Sequence, residues 1–284
     1  MAVVQSSIAG YEITGVIMDG KNSTVYSATD YQTRWEVAIK TVSRRAPKFK
    51  LRTQQLRWEW RLRDRLEHPN IVKVFKFGRT RTLSYLVMEL VRGPNLRGLM
   101  RSKDPVLREH LEEIILQIVA GLAHAHHNGI VNRDVKPENV LVSTTNGVDV
   151  KVIDFAIAVL YGQPWTQWFR RLWAGRDIRG TKTYMSPEQA QGIPVDPRSD
   201  IYSLGIMLYE LVAGRPPFLQ IDADQLLEAH VSQEPPPLGR MAPNVNPAFE
   251  ELVMMMLRKN RDLRPPDLNF VQKQLHGLSV FRAG

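Results

Sequence analysis

The 284-residue chain contains no cysteine. That excludes disulfide staples and thiolate chemistry. It also makes a reducing, cytoplasmic setting the default expectation, for the whole protein or for the cytosolic part of a longer membrane protein. No apolar run approaches the roughly 18 residues of a membrane-spanning segment. The opening stretch MAVVQSSIAG lacks the basic-then-apolar pattern of a signal peptide. Acidic residues are the minority, 29 against 38 Lys and Arg, leaving a net charge of +9. No internal repeat is present. What remains, 43% hydrophobic and 24% charged, describes an ordinary globular protein with length for one large domain or two lobes.

The basic residues are unevenly placed. Between Arg44 and Arg81 there are thirteen Lys or Arg against three acids (Glu59, Asp64, Glu67), so this window alone carries +10. The remainder is close to neutral. Such a cluster suits a solvated helix face, an acidic protein surface or an anionic membrane. It has few regularly interleaved aromatics, which argues against nucleic acid.

From Tyr11 to about Met88 the pattern predicts short strands. VIMDGKNSTVYSA reads as strand, turn and strand around Asp19-Gly20, and WEVAIK, IVKVFKFG and SYLVME have similar character. One helix interrupts them, from about Leu51 to Leu66. Trp58, Glu59, Leu62 and Leu66 share one arc of it, and Arg57, Arg61 and Arg65 form a separate stripe. After Gly93-Pro94 helices dominate. EHLEEIILQIVAGLAHAH has a strong apolar face and stops at Asn128-Gly129. Further helices are predicted at SDIYSLGIMLYELVAG, opened by a Ser199-Asp200 cap, and at AFEELVMMMLRK, with EPPPLGR as loop. The outline is α+β: a small antiparallel-sheet lobe with one key helix over residues 11–90, and a larger, mostly helical lobe over 91–276. Tails at 1–10 and 277–284 flank them.

Several polar residues have the spacing that phosphoryl transfer requires: a cation for phosphates, metal ligands, and an acceptor for a hydroxyl proton. Lys40 ends the strand VAIK, and Glu59 on the helix arc is placed to partner it. Asp134 and Asn139 lie five residues apart in one tight loop, with Lys136 between them. Asp154 follows the strand VKVI and offers the carboxylate that Mg²⁺ favours. Each alone reads as a surface charge; the joint spacing is the signal.

The segments VAIK, NRDVKPEN, DFA, GTKTYMSPE and DIYSLG, with Arg264 in RDLRP, resemble the eukaryotic-type Ser/Thr protein kinase superfamily from Tyr11 to about Leu275. YMSPEQAQG and DPRSDIYSLGIMLYELVAGRPPF look most like its bacterial members. The resemblance implies a bilobal kinase domain over 11–276 that phosphorylates Ser or Thr of proteins, itself included, using Mg-ATP or Mn²⁺ in place of Mg²⁺. Lys136, two residues after Asp134, matches the Ser/Thr rather than the Tyr form. Met88 would then guard the back of the adenine pocket, Glu89 to Val91 would form the hinge, and Val25, Ala38 and Leu141 would sandwich the base. Asn139 and Asp154 would hold metal, Asp200 would anchor the loop of Asp134, and Glu188 and Arg264 would form a buried pair.

The chain also departs from that pattern. The phosphate-covering loop reads MDGKNS, so Met18 and Ser23 flank a single Gly20 where the superfamily has three glycines. Asn132 stands where the superfamily has His, and Ala156 where it has the Gly of DFG. Arg63 falls where an apolar residue would meet Phe155, and stacking on that ring or reaching solvent are both open to it. These departures touch packing and lid flexibility, and they keep a pseudokinase, a nucleotide-binding or inert scaffold, as the alternative reading.

The stretch AVLYGQPWTQWFRRLWAGRDIRGTKTY places Trp165, Trp168, Phe169 and Trp173 beside Arg170 and Arg171. It is a candidate surface for a partner, a second copy of the chain or a membrane, with the rings folding back onto the helical lobe as the plainer reading, and the basic Arg44–Arg81 face is a candidate for a regulator or self-association. Thr166, Thr181 and Thr183 are phosphorylation candidates, with Arg133 as the partner of the phosphate. His124, His126 and His127 look like a metal cluster, but they sit at a helix end with no carboxylate expected nearby and read as structural; Met254 to Met256 read as core.

Overall fold

The computed structural model describes residues 7–20, 23–162, 182–219 and 222–282. The chain divides into two compact units, Met1–Arg92 and Gly93–Gly284. Among the described residues no helix is long and apolar enough to cross a membrane.

The first unit is a six-stranded antiparallel sheet in the order β1-β2-β3-β4-β6-β5. Its strands are β1 (Ser7–Ile8), β2 (Tyr11–Asp19), β3 (Thr24–Asp30), β4 (Glu36–Ser43), β5 (Val74–Arg79) and β6 (Leu83–Glu89). Alternation sorts its side chains to two faces. Tyr11, Ala28, Val37, Ile39, Tyr85 and Val87 pack together on one. Val42, Val74 and Leu86 pack with Leu56 on the other, beneath the helix α1 (Phe49–Leu62). A buried hydroxyl pair, Thr53 to Ser84 at 2.9 Å, pins α1 to β6. Gly78 is required by close approach: a Cβ there would lie 2.3 Å from the Tyr85 ring.

The second unit is mainly helical. Short helices α2 (Leu96–Ser102) and α3 (Pro105–Glu109) precede α4 (Leu111–His127), whose buried stripe includes Ile114, Ile115, Ile118, Val119 and Leu122. Gly129 follows α4 with φ 72°, the left-handed stop expected of Asn128-Gly129. Four short strands follow, paired as β7 (Ile130–Val131) with β10 (Val159–Leu160) and β8 (Val140–Ser143) with β9 (Asp149–Val152). Then come α5 (Pro187–Ala190), α6 (Pro197–Ala213), α7 (Ala223–Ser232), α8 (Leu238–Met241), α9 (Pro247–Met256) and α10 (Leu268–Leu275).

Two local expectations need correction. The cap of α6 is Asp196, which accepts from the Arg198 N–H at 2.8 Å, with Pro197 as first helical residue. Ser199 and Asp200 lie inside the helix, where burial frees their side chains for tertiary contacts. Part of EPPPLGR is the start of α8 rather than loop.

Glu188 of α5 and Arg264 form a fully buried bidentate pair at 2.8 and 2.9 Å. Burial alone would raise the Glu188 carboxyl, but the Arg264 guanidinium and the Ser199 hydroxyl outweigh it and hold it below its ordinary 4.5. A depressed carboxyl contributes stability that is present above the unfolded value and is lost as pH falls through the folded one. Glu188→Gln strands a buried guanidinium, so a loss of about 3–5 kcal/mol is expected in urea unfolding at neutral pH. The gap between wild type and variant should narrow below pH 4.5. A gap that ignores pH would assign the loss to packing instead.

Candidate active site

In the first unit, strand register gathers most of the expected residues. Met18 faces Val25, Val25 faces Lys40, and Ala38 faces Met88, so all five share one face of the sheet. The helix α1 lies on that face and brings Glu59, 3% exposed, to 3.6 Å from the Lys40 Nζ. Gly20 donates its N–H to the Ser23 carbonyl at 3.0 Å, and a Cβ there would sit a tight 3.0 Å from the same oxygen. Glu89 ends β6 and accepts the Lys73 N–H at 3.1 Å, whereas Val91 lies beyond the strand. Arg63, just past the end of α1, lies over the Trp60 ring of that helix at 4.5 Å and pairs with Asp64 at 3.3 Å.

In the second unit, the loop between β7 and β8 holds the polar set. Asp134 Oδ2 accepts from Lys136 Nζ at 2.8 Å and from Asn139 Nδ2 at 3.1 Å. Asn139 Nδ2 also donates to the Asp134 carbonyl at 2.9 Å, which commits the amide nitrogen and leaves Oδ1 as the acceptor end. Asp154 follows β9 at φ 66°, and its Oδ1 accepts the Ala156 N–H at 3.3 Å. Leu141 lies in β8 and bridges to Asn95.

Asn132 joins these two segments. Its Oδ1 accepts the Asp134 N–H at 2.9 Å, and its Nδ2 donates to the Asp154 carbonyl at 3.4 Å. Arg133 and Asp154 both adopt left-handed backbone, at φ 71° and 66°. For non-glycine residues this costs roughly 1–2 kcal/mol each and persists only where surroundings impose it.

At Arg133 it is imposed by Asp200, fully buried on α6. Its carboxylate accepts the Asn132 N–H at 2.7 Å, the Arg133 N–H at 2.8 Å and His126 Nε2 at 2.8 Å. The sequence reading found no carboxylate near the three histidines; for His126 that is wrong, because 74 residues of chain separate the partners. Gln189 Nε2 adds a bond to the Arg133 carbonyl at 3.1 Å.

A second network escaped sequence reasoning altogether. Arg97 of α2 pairs with Glu138 at 2.9 Å and Glu210 of α6 at 2.7 Å, and Tyr184 bridges Arg97 and Glu210 through its hydroxyl. Burial and the Glu210 carboxylate push the Tyr184 phenol up. Burial opposes the charge on Arg97, and the Glu210 and Glu138 carboxylates more than restore it. No local periodicity marks such residues.

Thr183 is half-buried just before α5. Thr166, Thr181 and the aromatic cluster Trp165, Trp168, Phe169 and Trp173 lie outside the described residues. Among the described residues no group of three or more His, Asp or Glu could hold a metal ion.

Comparison with known proteins follows the same motifs. The family description "Protein kinase domain" matches residues 11–275. Serine/threonine-protein kinase PknB of Mycolicibacterium smegmatis is 37% identical over 264 residues, covering 89% of this chain and 40% of its own length. PknB of Mycobacterium tuberculosis is 36% identical over 264 residues with the same coverage. A probable serine/threonine-protein kinase of Streptomyces coelicolor is 37% identical over 261 residues, 89% of this chain and 37% of the relative. The chain therefore spans about 40% of the length of these curated relatives.

Asp200→Ala removes the acceptor of two buried backbone N–H groups, each costing about 1–3 kcal/mol when orphaned. The amides of Asn132 and Arg133 should lose hydrogen-exchange protection while the centre of α4 keeps it. Unchanged protection would show that packing, not the carboxylate, holds the loop.

Proposed function

Since this chain belongs to the protein kinase domain family, we propose that it transfers the γ-phosphoryl group of ATP to Ser or Thr hydroxyls of proteins, its own included. The observation that carries this reading is the Asp134 carboxylate, held at one oxygen by Lys136 and Asn139. A carboxylate fixed in that way is suited to orient a hydroxyl and take its proton as the bond to phosphorus forms. Lys136 then neutralises charge on the transferring group.

Family membership implies ATP and a divalent cation in general terms. We assign Mg²⁺, with Mn²⁺ as a substitute, to Asn139 and Asp154. The donor set fits: a carboxylate and an amide oxygen are hard ligands, and Mg²⁺ needs few of them because it retains water and phosphate oxygens. Bound there, the cation would neutralise the phosphate oxygens. In the first unit Lys40, oriented by Glu59, takes the α- and β-phosphates. Met18, Gly20 and Ser23 cover the phosphates, and Val25, Ala38, Met88, Glu89 and Val91 serve the adenine. Leu141 does so from the second unit.

Asn132 supports activity rather than a dead scaffold, since it keeps a donor on the Asp154 carbonyl and adds an acceptor for Asp134 N–H. We assign residues 11–276 as the catalytic domain, acting on the cytosolic side. Thr166, Thr181 and Thr183 are its proposed phosphorylation sites, with Arg133 as phosphate partner. The Trp-rich stretch after Tyr161 and the basic Arg44–Arg81 face are its candidate surfaces for self-association and for a regulator.

The test is intact mass after incubation with Mg-ATP, followed by labelling of an external protein substrate. Wild type should gain phosphate. Asp134→Ala and Asp154→Ala should not, the first through a rate loss of roughly 10²–10⁴-fold. Wild type that binds ATP yet labels neither itself nor any substrate would overturn the reading in favour of a scaffold.

A further inference from the structure

The three acids of the basic window are all committed: Glu59 to Lys40, Asp64 to Arg63 and Glu67 to Lys73. The cations that remain are therefore in excess, and two of the arginines lie over aromatic rings along one seam. Arg57 of α1 lies over the Phe77 ring at 5.8 Å, and Arg79 of β5 lies over the Phe49 ring at 6.0 Å. Phe49, Phe77 and Trp60 in turn pack on the core beneath α1. Register puts Phe77 opposite Leu86 and Arg79 opposite Ser84, so both face α1, along the seam between that helix and β5. β5 is the edge strand of the sheet. Arg57 and Arg79 are exposed, and among the described residues neither has a carboxylate within ion-pair distance.

A guanidinium drawn toward a ring face samples fewer directions than one on an open surface and can still offer N–H groups to a carboxylate. Two of them along one seam make a pre-organised reader of carboxylates, unlike mobile lysines on a solvated face. Phe49, Trp60 and Phe77 of the seam are partly buried against the core, so its exposed groups are mainly the charged ones. We propose that the α1–β5 seam is a docking site for an acidic segment of a partner protein, whose carboxylates are taken by Arg57 and Arg79. On the kinase reading, a partner there would act through α1 on Glu59 and hence on Lys40. The docking itself does not depend on that reading.

The experiment uses the full chain without nucleotide, so its outcome is separable from the question of activity. A fluorescein-labelled short polyglutamate peptide is titrated by anisotropy, at low and at physiological salt. Saturable, salt-sensitive binding is expected, falling at least ~10-fold in Arg57→Glu/Arg79→Glu. The control Arg65→Glu/Arg108→Glu, with the same change in net charge, should lose less than ~2-fold. Thermal melts of both variants confirm folding, and Arg57→Gln/Arg79→Gln repeats the test without charge reversal. Equal loss in both charge-reversed pairs would mean a general field and overturn the site, as would no saturable binding. Sedimentation with phosphatidylserine vesicles through the same two arginines, without peptide binding, would also overturn it by making the partner a membrane.

Discussion

The carboxylate of Asp200 is the constraint on which the polar architecture of the second unit depends. It is fully buried on α6 and receives three donors, two of them backbone N–H groups of Asn132 and Arg133. Those amides lie beyond the two-residue strand β7, so no sheet ladder is available to satisfy them. An acceptor from another element must satisfy both in a buried site, and the two oxygens of Asp200 do so. Arg133 can then hold its left-handed backbone, and the chain direction it sets delivers Asp134 one residue later. The position of the central carboxylate is inherited from a helix 66 residues away in sequence.

The departures from the family pattern look different once their contacts are known. Asn132 is smaller than His, but its amide has both a donor and an acceptor, and both are used. It closes a local turn onto Asp134 and reaches Asp154, so the two segments bearing the acidic groups share one side chain. Ala156 forgoes the freedom of glycine, yet the left-handed residue here is Asp154, which tolerates that region better than most because of its short polar side chain. Arg63 spends its guanidinium on Trp60 and Asp64, so its charge is met within its own neighbourhood.

What the sequence reveals and what it hides divide along chain distance. The strands, the hairpin at Asp19-Gly20 and the face of α4 follow from alternation and 3.6-residue periodicity, both local properties. Lys40, Asp134, Asn139 and Asp154 were visible because their spacing is rigid and their chemistry distinctive. The carboxylate partner of His126 was missed because it arrives from α6, and the Arg97–Tyr184–Glu210 network spans as many as 113 residues. The cap at α6 failed for the opposite reason. Ser199-Asp200 has the composition of a cap, but Asp196-Pro197 precedes it with stronger start chemistry, and tertiary bonds claimed both later residues.

The segment from Tyr184 to Gln189 is held more firmly than stability alone requires. Tyr184 is bound to Arg97 and Glu210, Glu188 to Arg264 and Ser199, and Gln189 to the Arg133 carbonyl. Buried ionic pairs of this kind are often no more stabilising than well-packed apolar residues of similar volume. Thermodynamic stability is thus a poor reason for joining one such pair, Glu188–Arg264, to the buried polar contacts of Tyr184 and Gln189 within six consecutive positions. Directionality is a better one: each bond fixes the orientation of the segment against α2, α6 and the loop of Asp134, which apolar contacts would leave free to slide. A surface that must present one hydroxyl among many to a single carboxylate needs that registration, whereas a scaffold recognised by its outer faces does not. The distribution of buried polar contacts is therefore what the proposed chemistry at Asp134 would require of this segment.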